Sequence, residues 1–250
     1  MHYELLLQEL AARYENADFL TGDPSWFMHQ VEGTENQETM AFIAASLSYG
    51  SRKQFLPKIQ HILDLSGGKP YDWVCSGRFA NDIADDDRCF YRLYTNRQYR
   101  HFLLVTSKLL YEYGSLGEYV CRNAGDTLSA IKCLCAYFAQ HECSVVIPKD
   151  TVSACKRLCM FMRWMVRTGS PVDLGLWTFL SPSSLIIPLD THVLQEAMSL
   201  QLISSRNATM SVALKLTDTL SRVFPGDPTK ADFALFGYGV DKSARSSLKH

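Results

Sequence analysis

Apolar positions recur at intervals of three and four residues along most of the chain, a pattern of consecutive helices. Residues 2–16 set Leu5, Leu6, Leu10, Ala11 and Tyr14 at that spacing. Residues 38–48 are apolar almost all round (Met40, Ala41, Phe42, Ile43, Ala44, Ala45, Leu47), which predicts a helix at the centre of a bundle. Thr34, with Gln37 three residues later, predicts a capping box that opens it. Further helices are predicted over 53–65, 98–113, 115–121, 126–141, 151–167, 190–200, 208–223 and 229–238, the next-to-last capped by Asn207. Residues 69–96 are less regular, and their acidic run, 82–87, reads as solvated surface. No pair of segments alternates with period two; Val145-Val146-Ile147 comes nearest. The predicted fold class is all-α, ending in a small frayed basic tail over 239–250.

Composition narrows the class without naming a function. A chain of 250 residues with 47% hydrophobic and 20% charged residues is ordinary for a globular protein and long enough for a sizeable core. No apolar run approaches the roughly 18 residues of a membrane span, so no membrane association is expected. The first ten residues carry acids and no basic leader, which predicts a cytoplasmic location. The eight cysteines then read as reduced thiols. Neither the Cys133/Cys135 nor the Cys155/Cys159 spacing suits zinc or an iron–sulfur cluster, so no metal and no cofactor is expected. The formal net charge of -1 offers no global attraction to nucleic acid, and any such binding must rest on local patches.

The chemistry concentrates in residues 151–193. Lys156, Met160, Arg163 and Arg167 share one face of a helix that is apolar over much of its circumference. Either the basic residues are a solvated stripe whose stems cover apolar surface, or they line a cleft. In the second case partial burial, with Arg157 and Arg163 nearby, would lower the Lys156 pKa toward the neutral amine that Schiff-base chemistry requires. Asp190 reads first as the cap of the next helix, with a functional carboxylate as the alternative. His192 is either a packed histidine or part of the same site.

The segment Pro188-Leu189-Asp190-Thr191-His192-Val193 resembles the Asp-Thr-His-Val segment of the helix-hairpin-helix DNA glycosylase superfamily. Ala154-Cys155-Lys156-Arg157-Leu158 is similar to the helix that carries the lysine nucleophile of its bifunctional members. The interval between them is longer than in endonuclease-III-type enzymes and similar to that of the archaeal 8-oxoguanine glycosylase branch. Residues 42–51 resemble the early buried helix and its loop, and residues 227–237 the last helix of that branch. The chain as a whole looks closest to an uncharacterised bacterial family of the superfamily. The hairpin signature Leu-Pro-Gly-Val-Gly is absent, its place taken by Val146-Ile147-Pro148-Lys149-Asp150-Thr151.

The resemblance implies a single unit over 1–250 made of two interleaved helical lobes with a cleft between them. The lobes would be residues 25–145, and residues 146–240 with the N-terminal helix. It further implies removal of an oxidised purine from double-stranded DNA by a monomeric glycosylase and lyase, with Lys156 and Asp190 as the catalytic pair. Gln37, Trp73, His192, Asp232 and Phe236 would surround the base, and Arg163 and Arg167 would meet phosphates. The alternatives are a non-catalytic nucleic-acid binder that retains the fold, and an unrelated all-α protein in which Asp190 is only a cap.

Overall fold

A computed structural model describes residues 2–247, with the side chains of His2, Val240, Asp241 and residues 243–247 excepted. Helices dominate it, as the periodicity requires. The described residues divide into two units. Residues 2–19, 126–128 and 151–247 form one, and residues 20–125 and 129–150 form the other.

The second unit is built on α2 (Thr34–Leu47), where every residue from Glu38 to Leu47 is buried. That is the physical outcome of a helix with no polar face. Phe42 of α2 meets Phe102 of α6 (Asn96–Tyr113) and Phe138 of α8 (Thr127–Gln140), with ring centroids 5.6 Å away in both cases. Also in this unit are α3 (Arg52–Ser66), α4 (Pro70–Cys75), α5 (Phe79–Asp82) and α7 (Leu116–Asn123). The start of α7 is held by Glu38, whose two carboxylate oxygens accept from Leu116 N and Gly117 N at 2.8 and 2.9 Å.

Two local expectations fail here. Thr34 is already helical, the N-cap is Gly33 and no side chain caps α2, so the predicted capping box does not form. A capping box does form at α6, where the Thr95 side chain takes the Gln98 amide and Gln98 returns to the Thr95 amide. The irregular stretch also holds a two-stranded antiparallel hairpin, β1 (Cys89–Tyr91) and β2 (Tyr94–Thr95). Strands this short give no period-two signal.

In the first unit, α1 (His2–Tyr14) lies along α12 (Lys230–Ser247), and α10 (Thr191–Ser199) meets α12 as well. The backbone of α12 continues well past the predicted end at Tyr238. Between α1 and α10 in sequence comes α9 (Lys156–Val166), buried without interruption from Leu158 to Val166. It starts five residues later than its periodicity suggested. Ala154 N and Met210 N donate to Ala208 O and Val152 O, and Ser153 bridges Thr209 next to α11 (Met210–Val223). Those pairings consume the backbone groups a helical turn would need, and Cys155 then turns the chain with φ of 46°. Lys156 is therefore the first helical residue.

Among the described residues, no helix is long and apolar enough to cross a membrane. All eight cysteines are free, and four of them, Cys135, Cys143, Cys155 and Cys159, are buried.

Candidate active site

Two helix starts bring the central pair together. Lys156 opens α9, and Asp190 is the N-cap of α10. Lys156 Nζ stands 3.8 Å from Asp190 Oδ2, with side chains 31% and 40% exposed. The other carboxylate oxygen, Asp190 Oδ1, accepts from Val193 N at 2.9 Å. Capping and pairing with the lysine are thus performed by different oxygens of one carboxylate. The cap fixes the carboxylate's rotamer, so Oδ2 is held toward the amine rather than free to swing away. On α9 the Cys159 thiol is fully buried, and burial above all, with Cys155 adding to it, pushes its pKa well up. It stays protonated and is a poor nucleophile.

His192 sits on the first turn of α10 and is exposed. Its ring lies over Gly239 of α12, where a Cβ would come within 2.5 Å of both Cε1 and Nε2. Asp232 and Phe236 are both on α12. Phe236 meets Tyr14 edge-on at 6.0 Å and Phe19 at 5.0 Å, so its ring joins α1 and the following turn to α12.

The two arginines are not where the sequence reading put them. Arg163 and Arg167 have side chains only 2% exposed, enclosed by carboxylates from four other segments. Arg163 donates to Asp173 at 3.2 Å and to Asp232. Arg167 donates to Asp173, to Asp227 at 2.8 Å and to Glu15 at 2.6 Å. Both guanidinium groups also lie over the Phe233 ring, at 4.7 and 5.2 Å from its centroid. Burial by itself would lower the Arg167 pKa, but Asp173, Asp227 and Glu15 outweigh it and hold the group charged. Neither guanidinium is exposed to meet a phosphate, and Asp232 pairs with Arg163. Glu15, Asp173 and Asp227 were missed in the sequence. The signal available was charge balance, because two arginines on a buried helix face demand carboxylate partners.

Gln37 and Trp73 belong to the other unit. Gln37 is half-buried in the first turn of α2. Trp73 is a core residue, 0% exposed, edge-on to Phe79 and donating from Nε1 to Asp82 Oδ2 at 2.6 Å. With its faces covered, it has no surface on which to stack a base. No group of three or more His, Cys, Asp or Glu able to hold a metal ion occurs among the described residues.

A family model described as "Protein of unknown function (DUF2400)" matches residues 23–241, a span that includes Lys156, Asp190 and both arginines. The chain belongs to the DUF2400 family. No curated protein and no solved structure matches it.

Proposed function

We propose that this DUF2400 protein is a base-excision DNA glycosylase with lyase activity, acting on an oxidised purine such as 8-oxoguanine. The observation that carries this reading is the contact at 3.8 Å between the Lys156 amine and the free oxygen of the Asp190 cap. A lone capping aspartate needs no lysine, and a surface ion pair of this kind adds at most about 1 kcal/mol to stability. The pairing therefore has more value as chemistry than as structure.

In the proposed reaction a damaged nucleotide is turned out of the duplex so that its sugar reaches the Lys156 amine. Asp190 accepts a proton from the Lys156 ammonium and faces the positive charge that grows on the deoxyribose. The neutral amine attacks C1′ as the base departs with the proton that Asp190 took up, which leaves the carboxylate charged beside the sugar. Loss of the ring oxygen bond gives an imine between Lys156 and the sugar, and β-elimination then breaks the strand on the 3′ side. The partner is double-stranded DNA with a damaged base. Its phosphates must be met by groups other than Arg163 and Arg167, which are enclosed by acids.

Incubation with lesion-containing duplex and borohydride tests this directly. The expected result is a covalent protein–DNA adduct, formed by reduction of the imine, that disappears in Lys156→Gln. Salt-dependent DNA binding with no adduct and no released base across several lesions would leave the non-catalytic binder as the better description.

A further inference from the structure

Lys108, on α6, and His141, just past the end of α8, make a contact that the proposed chemistry leaves unused. Lys108 Nζ stands 2.8 Å from His141 Nε2, and His141 Nδ1 lies 2.8 Å from Tyr137 O. A carbonyl oxygen only accepts, so Nδ1 carries the hydrogen, and the lone pair of the neutral ring sits on Nε2, facing the amine. Two more contacts hold His141. Its ring tilts against that of Tyr137 with centroids 4.6 Å apart, and His101 Nε2 donates to the His141 carbonyl at 2.7 Å. A carboxylate oxygen of Glu112 is farther from the amine, at 4.0 Å, and the other accepts from the Tyr137 hydroxyl at 3.2 Å.

A weak nucleophile is activated by a base within hydrogen-bond reach that is itself oriented by a third group. Here the amine, the imidazole and the Tyr137 carbonyl fill those three places. The pair borders a cavity of about 610 Å³ whose lining includes Leu104, Val105 and Tyr111. Leu104 is 56% exposed, so the apolar wall is open to an incoming chain. Cys75 lines the same cavity, but burial above all pushes its thiol up, and it stays protonated.

We propose that Lys108 is a site of covalent acylation by acyl thioesters, with His141 as the base and the apolar cavity wall as the seat of the acyl chain. Once the ammonium has released one proton to water, the amine keeps an N–H on His141 Nε2 and attacks the thioester carbonyl carbon with its lone pair. The C–N bond forms, the C–S bond breaks, and the N–H proton passes to Nε2. The leaving thiolate then takes that proton and departs as the thiol, with no change of oxidation state. The product is an amide that carries no charge beside His141. This chemistry goes beyond the DNA reading and uses neither Lys156 nor Asp190.

The test incubates the whole chain with the acetyl or the butyryl thioester of N-acetylcysteamine and follows each lysine by peptide mass spectrometry. Lys53 and Lys132, both exposed, are the references. Lys108 is expected to be acylated about tenfold faster than either. The butyryl thioester should be favoured at Lys108 alone, by about threefold or more. His141→Phe keeps a ring without an acceptor and should bring Lys108 down to the reference rate. Leu104→Ser, at an exposed position, should keep the advantage of Lys108 with the acetyl thioester and lose the preference for butyryl, which tests the site even where His141→Phe does not fold. Cys75→Ser should leave the labelling of Lys108 as it is. Lys108 reacting at the reference rate, an unchanged rate in folded His141→Phe, a butyryl preference unmoved by Leu104→Ser, or a loss in Cys75→Ser would each overturn the proposal.

Discussion

Asp190 caps α10 with one oxygen and faces Lys156 with the other, at 2.9 and 3.8 Å. This division of labour allows structure and chemistry to be separated by mutation. Asn caps a helix about as well as Asp, so Asp190→Asn is expected to cost less than about 1 kcal/mol of stability. The same change removes the charge that faces the amine and is expected to slow base release by roughly 100-fold or more in single-turnover assays. Asp190→Ala should lose both the cap and the activity. Equal rates for wild type and Asp190→Asn would reject a catalytic part for the carboxylate.

The arginine cluster is expected to govern folding rather than DNA affinity. Removing one member of a buried ion pair typically costs about 3–5 kcal/mol, since the partner is left charged and dry. Asp173, which serves both Arg163 and Arg167, is the member whose loss strands most charge. Urea titration of Asp173→Asn should show a large drop in midpoint. A midpoint within error of wild type would mean that the enclosed charges contribute little.

A glycine on α12 offers a test in which two effects oppose each other. Replacing a helical Gly by Ala ordinarily stabilises by about 1 kcal/mol. At Gly237, however, a Cβ would stand 2.1 Å from Tyr14 Cδ2 and 2.8 Å from Cγ, inside the ring that joins α1 to α12. Overpacking of this sort costs about 1–3 kcal/mol, so Gly237→Ala is expected to destabilise. Thermal denaturation decides the sign, and a raised midpoint would contradict the packing described for α1 and α12.

Buried thiols predict an alkaline limit. Burial pushes Cys133 up to about 11 and Cys143 up to about 12, from ordinary values of 9.0. Above pH 9 the unfolded chain loses protons that the folded chain keeps, so stability falls as pH rises toward those values. Denaturant midpoints at pH 8, 9.5 and 10.5 should decline in order. Replacing Cys143 with Ala should flatten the decline, and a profile already flat in wild type would refute this cause.

Much of the helical layout was legible because burial imposes a 3.6-residue period wherever a helix has one wet face. The all-round apolar run of α2 even marked its central place. Helix starts were less legible. Thr34 and Gln37 have the side chains of a capping box, but Gly33 occupies the cap. Nothing in residues 151–155 revealed that their backbone would pair with residues 208–210 and delay α9 until Lys156. The hairpin escaped notice because its strands are too short to show alternation.

The sequence by itself determined the all-α class, the placement of most helices and the presence of a lysine within one helix and an aspartate at the start of the next. Only the tertiary structure decided what the charged residues do. A helical wheel groups Lys156, Arg163 and Arg167 on one face, and it cannot say which carboxylates approach that face. Glu15, Asp173, Asp227 and Asp232 come from separate segments and enclose the two arginines, while Asp190 meets Lys156. The physical reason is that an ion pair is set by distance in space, and the chain brings those partners together only when its helices pack.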